Sequence, residues 1–180
     1  MSRWTPILAG IGASLLALWL LSRITPAGYT RIELTEGEGA GGRTLLSSIV
    51  RDGERVTLTW RNSQFGLRVT ESFHGQSGVL VQDRVTFAQP DGTPPPRVSP
   101  LDVDDLFHTG GAFDAQGLSR PFRRIVYRIG EIGDPKLHLG GRTVALKQAA
   151  GFGGRVVLTA ARPTAGEILL HRVKRSSLSP

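Results

Sequence analysis

The strongest pattern in the chain is an uncharged apolar run, Trp4 to Ser22, bracketed by Arg3 and Arg23. At about 1.5 Å per helical residue such a run spans roughly 28 Å, close to a hydrocarbon core about 30 Å thick. Residues 1–23 therefore read as an N-terminal membrane anchor or uncleaved signal, a single transmembrane helix. A cleaved secretory signal competes with that reading, but its cleavage site would fall near Thr25-Pro26-Ala27, where Pro26 is unfavourable. The lightly charged amino terminus ahead of one large domain favours an amino-terminus-in orientation.

Beyond the run the pattern changes from continuous to alternating. Residues 24–42 read as a flexible tether, rich in Gly and Glu, with at most a short strand over Arg31–Leu34. Leu45 to Val50 is a short apolar run, and Asp52-Gly53 a turn. Val56, Leu58 and Trp60 then alternate with Thr57 and Thr59, the period of a half-buried strand. Leu67, Val69 and Phe73 share a phase, as do Val79, Val81, Val85 and Phe87, so residues 54–88 predict an antiparallel meander. Two acidic residues break these rows. Glu71 falls on the apolar face of its strand, and Asp83 interrupts the next one.

Ser99-Pro100-Leu101-Asp102 reads as a helix start, with Ser99 at the N-cap, Pro100 at N1 and Asp102 placed for a capping-box-like contact. This helix is expected to reach His108 and to stop at Gly110-Gly111. From Pro121 the strands resume. Ile125, Tyr127 and Ile129 share one face, and Gly140-Gly141 predicts a tight hairpin between residues 136–139 and 142–147. Gly151-Phe152-Gly153-Gly154 reads as a turn with a buried Phe. Arg155–Arg162 and Glu167–Val173 read as two last strands, and residues 174–180 as a disordered tail. The predicted fold is all-β: an antiparallel sandwich or partly closed barrel of about eight or nine strands with one short helix, the β domain occupying residues 43–173.

Composition narrows the chemistry. The absence of cysteine among 180 residues removes disulfides, thiolate metal sites and cysteine nucleophiles. Net charge is +7, carried unevenly: residues 1–119 hold ten basic and twelve acidic side chains, residues 120–180 twelve and three. Such a basic third suits an anionic surface, or simply the solvent faces of strands written in Arg. The aromatic interleaving that stacks nucleic-acid bases does not accompany it, so no nucleic-acid partner is expected.

Two polar constellations stand out. Asp102, Asp104, Asp105 and His108 could form a small-ligand or metal-dependent site, hydrolytic in one version, since Asp104 and His108 share a helical face. The same residues also complement the helix macrodipole, and their spacing matches no established metal motif, so no metal or other cofactor is assigned. The second is Asn62, Ser63 and Glu71 across the first hairpin. Without a bulge, the Glu71 carboxylate points into the core. It then needs a cation or several donors, and an arginine of the basic last third is the expected partner, in which case Glu71→Gln would destabilise the domain by about 1–3 kcal/mol. A bulge would turn it to solvent instead, and a ligand-gripping role is the third possibility. Ser63 lacks a nucleophile elbow, and no catalytic residue is assigned.

Val56-Thr57-Leu58-Thr59-Trp60, Asn62-Ser63 and Glu71 resemble the opening of the domain of unknown function 1850 family, in which an aromatic strand precedes a His-Ser pair and a Glu about nine residues on. The likeness extends over roughly residues 44–162, including Asp102–Phe113 and Phe122–Gly133, with Asn62 standing where His is usual. The resemblance implies a small protein anchored in a bacterial inner membrane, its domain in the periplasm. It also implies association with a TRAP-type (TAXI) uptake system; together with the lack of a catalytic constellation in the sequence, this leads to the expectation of an accessory role without enzymatic activity, the partner being a transporter subunit or a substrate-binding protein.

Overall fold

The computed structural model describes residues 19–20, 23–37 and 41–176. The predicted anchor therefore lies almost wholly outside the described residues. Among those that are described, no helix is long and apolar enough to cross a membrane.

Among the described residues, eleven strands form two sheets. They are β1 (Tyr29–Glu36), β2 (Arg43–Arg51), β3 (Arg55–Arg61), β4 (Arg68–Gln76), β5 (Val79–Ala88), β6 (Arg97–Val98), β7 (Phe113–Phe122), β8 (Arg124–Arg128), β9 (Lys136–Leu139), β10 (Arg142–Ala145) and β11 (Arg155–Ala161). One sheet has the order β2-β1-β11-β8, the other β10-β9-β3-β4-β5-β7-β6. The result is an all-β sandwich and not a closed barrel, with three α-helices among the described residues: α1 (Val103–Thr109), α2 (Leu146–Ala150) and α3 (Ala165–Ser176).

The meander β3-β4-β5 forms as its alternation predicts. The Gly140-Gly141 hairpin also forms, with both glycines at positive φ, as a two-residue turn requires. The helix start is as expected in outline. Ser99 Oγ accepts from the Leu101 amide at 3.2 Å over a 3₁₀ turn, Pro100–Asp102, which leads into α1. Asp102 makes no capping contact with its side chain.

Several expectations are corrected. Residues 29–36 are not tether but β1, the inner strand paired with β2 on one side and β11 on the other, with Ile32 and Leu34 fully buried. Residues 113–120, ahead of the expected restart of the strands at Pro121, form most of β7. Residues 167–173 are helix rather than strand, and the helix runs on to Ser176, into the supposed tail. A reciprocal cap explains the change: Glu167 N donates to Thr164 Oγ1 at 3.2 Å, and Glu167 Oε2 accepts from Thr164 N at 2.7 Å. Phe152 is exposed, not buried. In β5 the buried row is Leu80, Gln82, Val85 and Phe87, because Asp83 is an extra residue opposite β4, between the pairs Phe73–Gln82 and Ser72–Arg84. A bulge of this kind moves the following side chains to the other face.

The inner face of the larger sheet carries two hydrophobic clusters. One, with Val56, Leu58, Phe73 and Leu137, meets Ile32, Leu34 and Leu158 of the smaller sheet. The other, around Val69, Val85, Phe87 and Phe113, lies beside Val103 and Leu106 of α1. Trp60 packs against both.

Candidate functional site

Glu71 stands between the two clusters. Val69 before it belongs to one, Phe73 after it to the other, and strand alternation puts all three side chains on the inner face. The bulge lies in β5 and not in the strand of Glu71, whose carboxyl therefore points inward. Its partners are not arginines. Trp60 Nε1 donates to Glu71 Oε1 at 2.9 Å, and Gln82 Nε2 to Oε2 at 3.2 Å. Trp60 reaches it diagonally across the β3-β4 pair, and Gln82 faces inward only because the Asp83 bulge shifts the phase of β5.

A cavity of about 570 Å³ opens over this carboxyl. Leu58, Trp60 and Glu71 of the larger sheet line one wall, Tyr127 of β8 the opposite one, and the turn from Gly130 to Pro135 closes the side. That turn is tied to the end of β3 by Arg61 N donating to Gly133 O at 2.7 Å. Arg61, Arg128, Glu131 and Ser63 stand at its border and are exposed. The Tyr127 hydroxyl is buried and has no hydrogen-bond partner among the described residues.

Electrostatics follow from burial. Loss of solvent pushes the Glu71 carboxyl above its ordinary value, a rise the Trp60 hydrogen bond partly offsets. The Tyr127 phenol is also pushed up, by burial first and by the neighbouring Glu71 charge second. Both groups thus favour their neutral, proton-bearing forms. The folded domain holds the Glu71 proton more tightly than the unfolded chain does. The stabilisation this confers is complete below the ordinary carboxyl value of 4.5 and is lost as pH rises through the elevated folded value. Glu71→Gln cannot ionise and keeps an acceptor for Trp60. Relative to this variant, the wild type is expected to lose up to about 1.4 kcal/mol per pH unit within that window, and to differ little from it at pH 4. Urea unfolding of both proteins across pH 4–8 checks this, and parallel stability curves would contradict it.

Comparison with family models, curated proteins and solved structures gives no match to this chain.

Of the residues singled out in the sequence, Glu71 and Ser63 both line the cavity, Ser63 at its exposed border. Asn62 serves the turn between β3 and β4, where its Oδ1 accepts from the amides of Gln64 and Phe65, each at 2.9 Å. Asp102, Asp104, Asp105 and His108 are exposed on and beside α1. Asp104 pairs with Arg120 at 2.9 Å. Among the described residues, no three His, Cys, Asp or Glu side chains are grouped so as to hold a metal ion. Sequence reasoning missed Gln82, for which the break at Asp83 was the available signal, and the roles of Trp60 and Tyr127, which depend on how strands and sheets face one another.

Proposed function

We propose that the cavity binds a small organic acid with an apolar body, and that the protein serves as a non-enzymatic solute-binding accessory. The single observation that carries this reading is the buried Tyr127 hydroxyl, without a partner among the described residues and beside the Glu71 carboxyl. A buried polar group without a hydrogen bond costs about 1–3 kcal/mol, a cost that a ligand atom can relieve. The volume falls in the range of small-molecule sites, whose walls are mostly apolar with a few polar groups. Arg61 and Arg128 at the border suit a carboxylate, while Tyr127 and a protonated Glu71 can donate to an acceptor deeper in the ligand. Glu71 is held by Trp60 and Gln82, an arrangement that positions a carboxyl rather than activating a nucleophile.

The setting of this role is also a proposal. The run Trp4–Ser22 supports a single-pass inner-membrane anchor. The likeness to the domain of unknown function 1850 family supports a periplasmic domain working with a TRAP-type (TAXI) transporter subunit or its substrate-binding protein. Co-purification from gently solubilised membranes tests the partnership, and a chain that migrates alone beside the intact transporter counts against it.

Tyr127→Phe tests the cavity. Removing the orphan hydroxyl is expected to raise the stability of the empty domain by about 1 kcal/mol and to weaken solute binding. Thermal melts of wild type and variant with a panel of small organic acids measure both effects. Acids that stabilise the two proteins equally would place binding elsewhere.

A further inference from the structure

The last pair of the β3-β4 ladder sets two arginines against each other. Arg61 and Arg68 are register partners, and strand alternation puts both on the outer face, away from Trp60 and Val69. Asn62 N donates to Leu67 O, while Arg61 N turns away from β4 to Gly133 O. Arg61 and Arg68 are therefore a non-hydrogen-bonded pair, the kind whose Cα atoms lie about 4.5 Å apart and whose side chains run closest. Like charges directly opposite destabilise a sheet. Both arginines are exposed, and neither guanidinium has a hydrogen bond or ion pair with another described residue.

The same two residues border a crevice of about 470 Å³, together with Thr59 of the outer face, Gly66 and Pro90. Its one acid among the described residues is Asp134, and Lys136 Nζ lies 3.1 Å from that carboxylate. Those two charges answer each other, so Arg61 and Arg68 remain as the surplus. Gly66 has a φ of +70°, and a methyl group built on it would stand 3.8 Å from Arg61 Nη2. The Arg61 guanidinium thus lies over the turn that leads into β4. Two neighbouring cations that repel each other and lack a counter-charge form a receptor for one. Guanidinium forks take a carboxylate or phosphate through paired N–H···O bonds.

We infer that this crevice binds an oxyanion, a carboxylate or phosphate group shared between Arg61 and Arg68. Two sources can deliver such a group. It can come free from solution, or as the acid end of an organic solute, since Trp60, Arg61, Ile132 and Gly133 line both this crevice and the cavity over Glu71. The inference rests on the two arginines, and neither on what the cavity binds nor on the membrane anchor.

The test titrates the full chain, in non-ionic detergent and low salt, with inorganic phosphate. Calorimetry is expected to show saturable binding at one site per chain, with a rise in melting temperature. Arg61→Gln and Arg68→Gln should each weaken this binding about ten-fold or more. Arg124→Gln, at an exposed arginine of β8, should leave it unchanged. Without phosphate, Arg68→Gln should melt no lower than the wild type, because the cross-strand repulsion is gone. Acetate and hexanoate then separate the sources. Tighter binding of hexanoate, lost in both Arg68→Gln and Tyr127→Phe, shows an acid end delivered by a solute in the cavity. Equal binding of the two acids, untouched by Tyr127→Phe, shows a free-anion site, and the inference stands while the solute reading fails. Absence of saturable phosphate binding overturns the inference. So does equal weakening by Arg124→Gln, which would mean diffuse attraction to a basic protein. An Arg68→Gln variant that melts well below the wild type in the absence of phosphate would show that Arg68 serves the fold, and also overturns it.

Discussion

Phe87→Ala is expected to destabilise the domain by about 3–5 kcal/mol and to disturb the candidate site as well. Phe87 is 2% exposed at the centre of an aromatic group. Its ring stacks on Phe113 at a centroid distance of 4.7 Å and meets Phe107 and Trp60 edge-on, at 5.0 and 6.2 Å. Truncation leaves a ring-sized hollow between a strand pair and α1, where the backbone is fixed by sheet pairing and can close in only partly. Trp60 borders that hollow, and its indole N–H anchors Glu71. Loss of the edge contact frees Trp60 to rotate, so solute binding should weaken beyond what the lost stability explains. Urea unfolding gives the stability change, and near-ultraviolet circular dichroism follows the aromatic group. A loss below about 1 kcal/mol would show that Phe107 or Leu106 fills the space.

Gly78→Ala should have the next largest effect, about 2–5 kcal/mol, combining backbone strain with overpacking. Ser77 and Gly78 both have positive φ, 51° and 83°, forming the tight turn between β4 and β5. That turn is clasped by the smaller sheet. Gly78 N donates to Thr30 Oγ1 at 3.1 Å, Arg162 Nε to Ser77 O at 3.0 Å, and Asp52 accepts from both Thr30 and Ser77. A methyl group at Gly78 would stand 2.6 Å from the Arg162 amide nitrogen and 2.9 Å from the Ala161 carbonyl carbon. Gly92 supplies the comparison: its φ is +85°, but a methyl group there meets nothing within 4 Å. Thermal melts of Gly78→Ala and Gly92→Ala therefore separate collision from strain. Equal losses would mean that this end of the sandwich is loosely closed.

How much of this was legible in the sequence depends on how local each feature is. The meander could be read because Val56, Leu58 and Trp60 alternate without interruption, and Leu67, Val69 and Phe73 keep one phase across Glu71. Ser99-Pro100 and Gly140-Gly141 announce themselves through side-chain capping and positive φ. β1 could not be read with the same assurance. Ile32 and Leu34 make a short signal between glycines, and the strand owes its place to partners before and far after it. In α3 a short apolar run fits either strand or helix, although Thr164 and Glu167 carry the spacing of a reciprocal cap. The inward aim of Glu71 was legible from phase alone. Its partners were not: Gln82 depends on a one-residue bulge, and Tyr127 comes from the other sheet. Without an arginine partner, the expected cost of Glu71→Gln gives way to a pH-dependent gain.

The place of β1 bears on how the protein can be made. Arg31 pairs with Ala161 and Glu36 with Val156, so the first sheet joins the beginning of the described domain to its end. At typical synthesis rates, residue 31 waits roughly 10 s for residue 161 to emerge. Through that interval Ile32 and Leu34 lie on a strand with one open edge, a template for pairing with another chain. Vectorial folding is thus unavailable to the smaller sheet, whose closure must be the last step and a slow one. A nascent chain stopped before Arg155 would not be a shorter version of the domain but an exposed edge, and should accumulate as aggregate or be degraded.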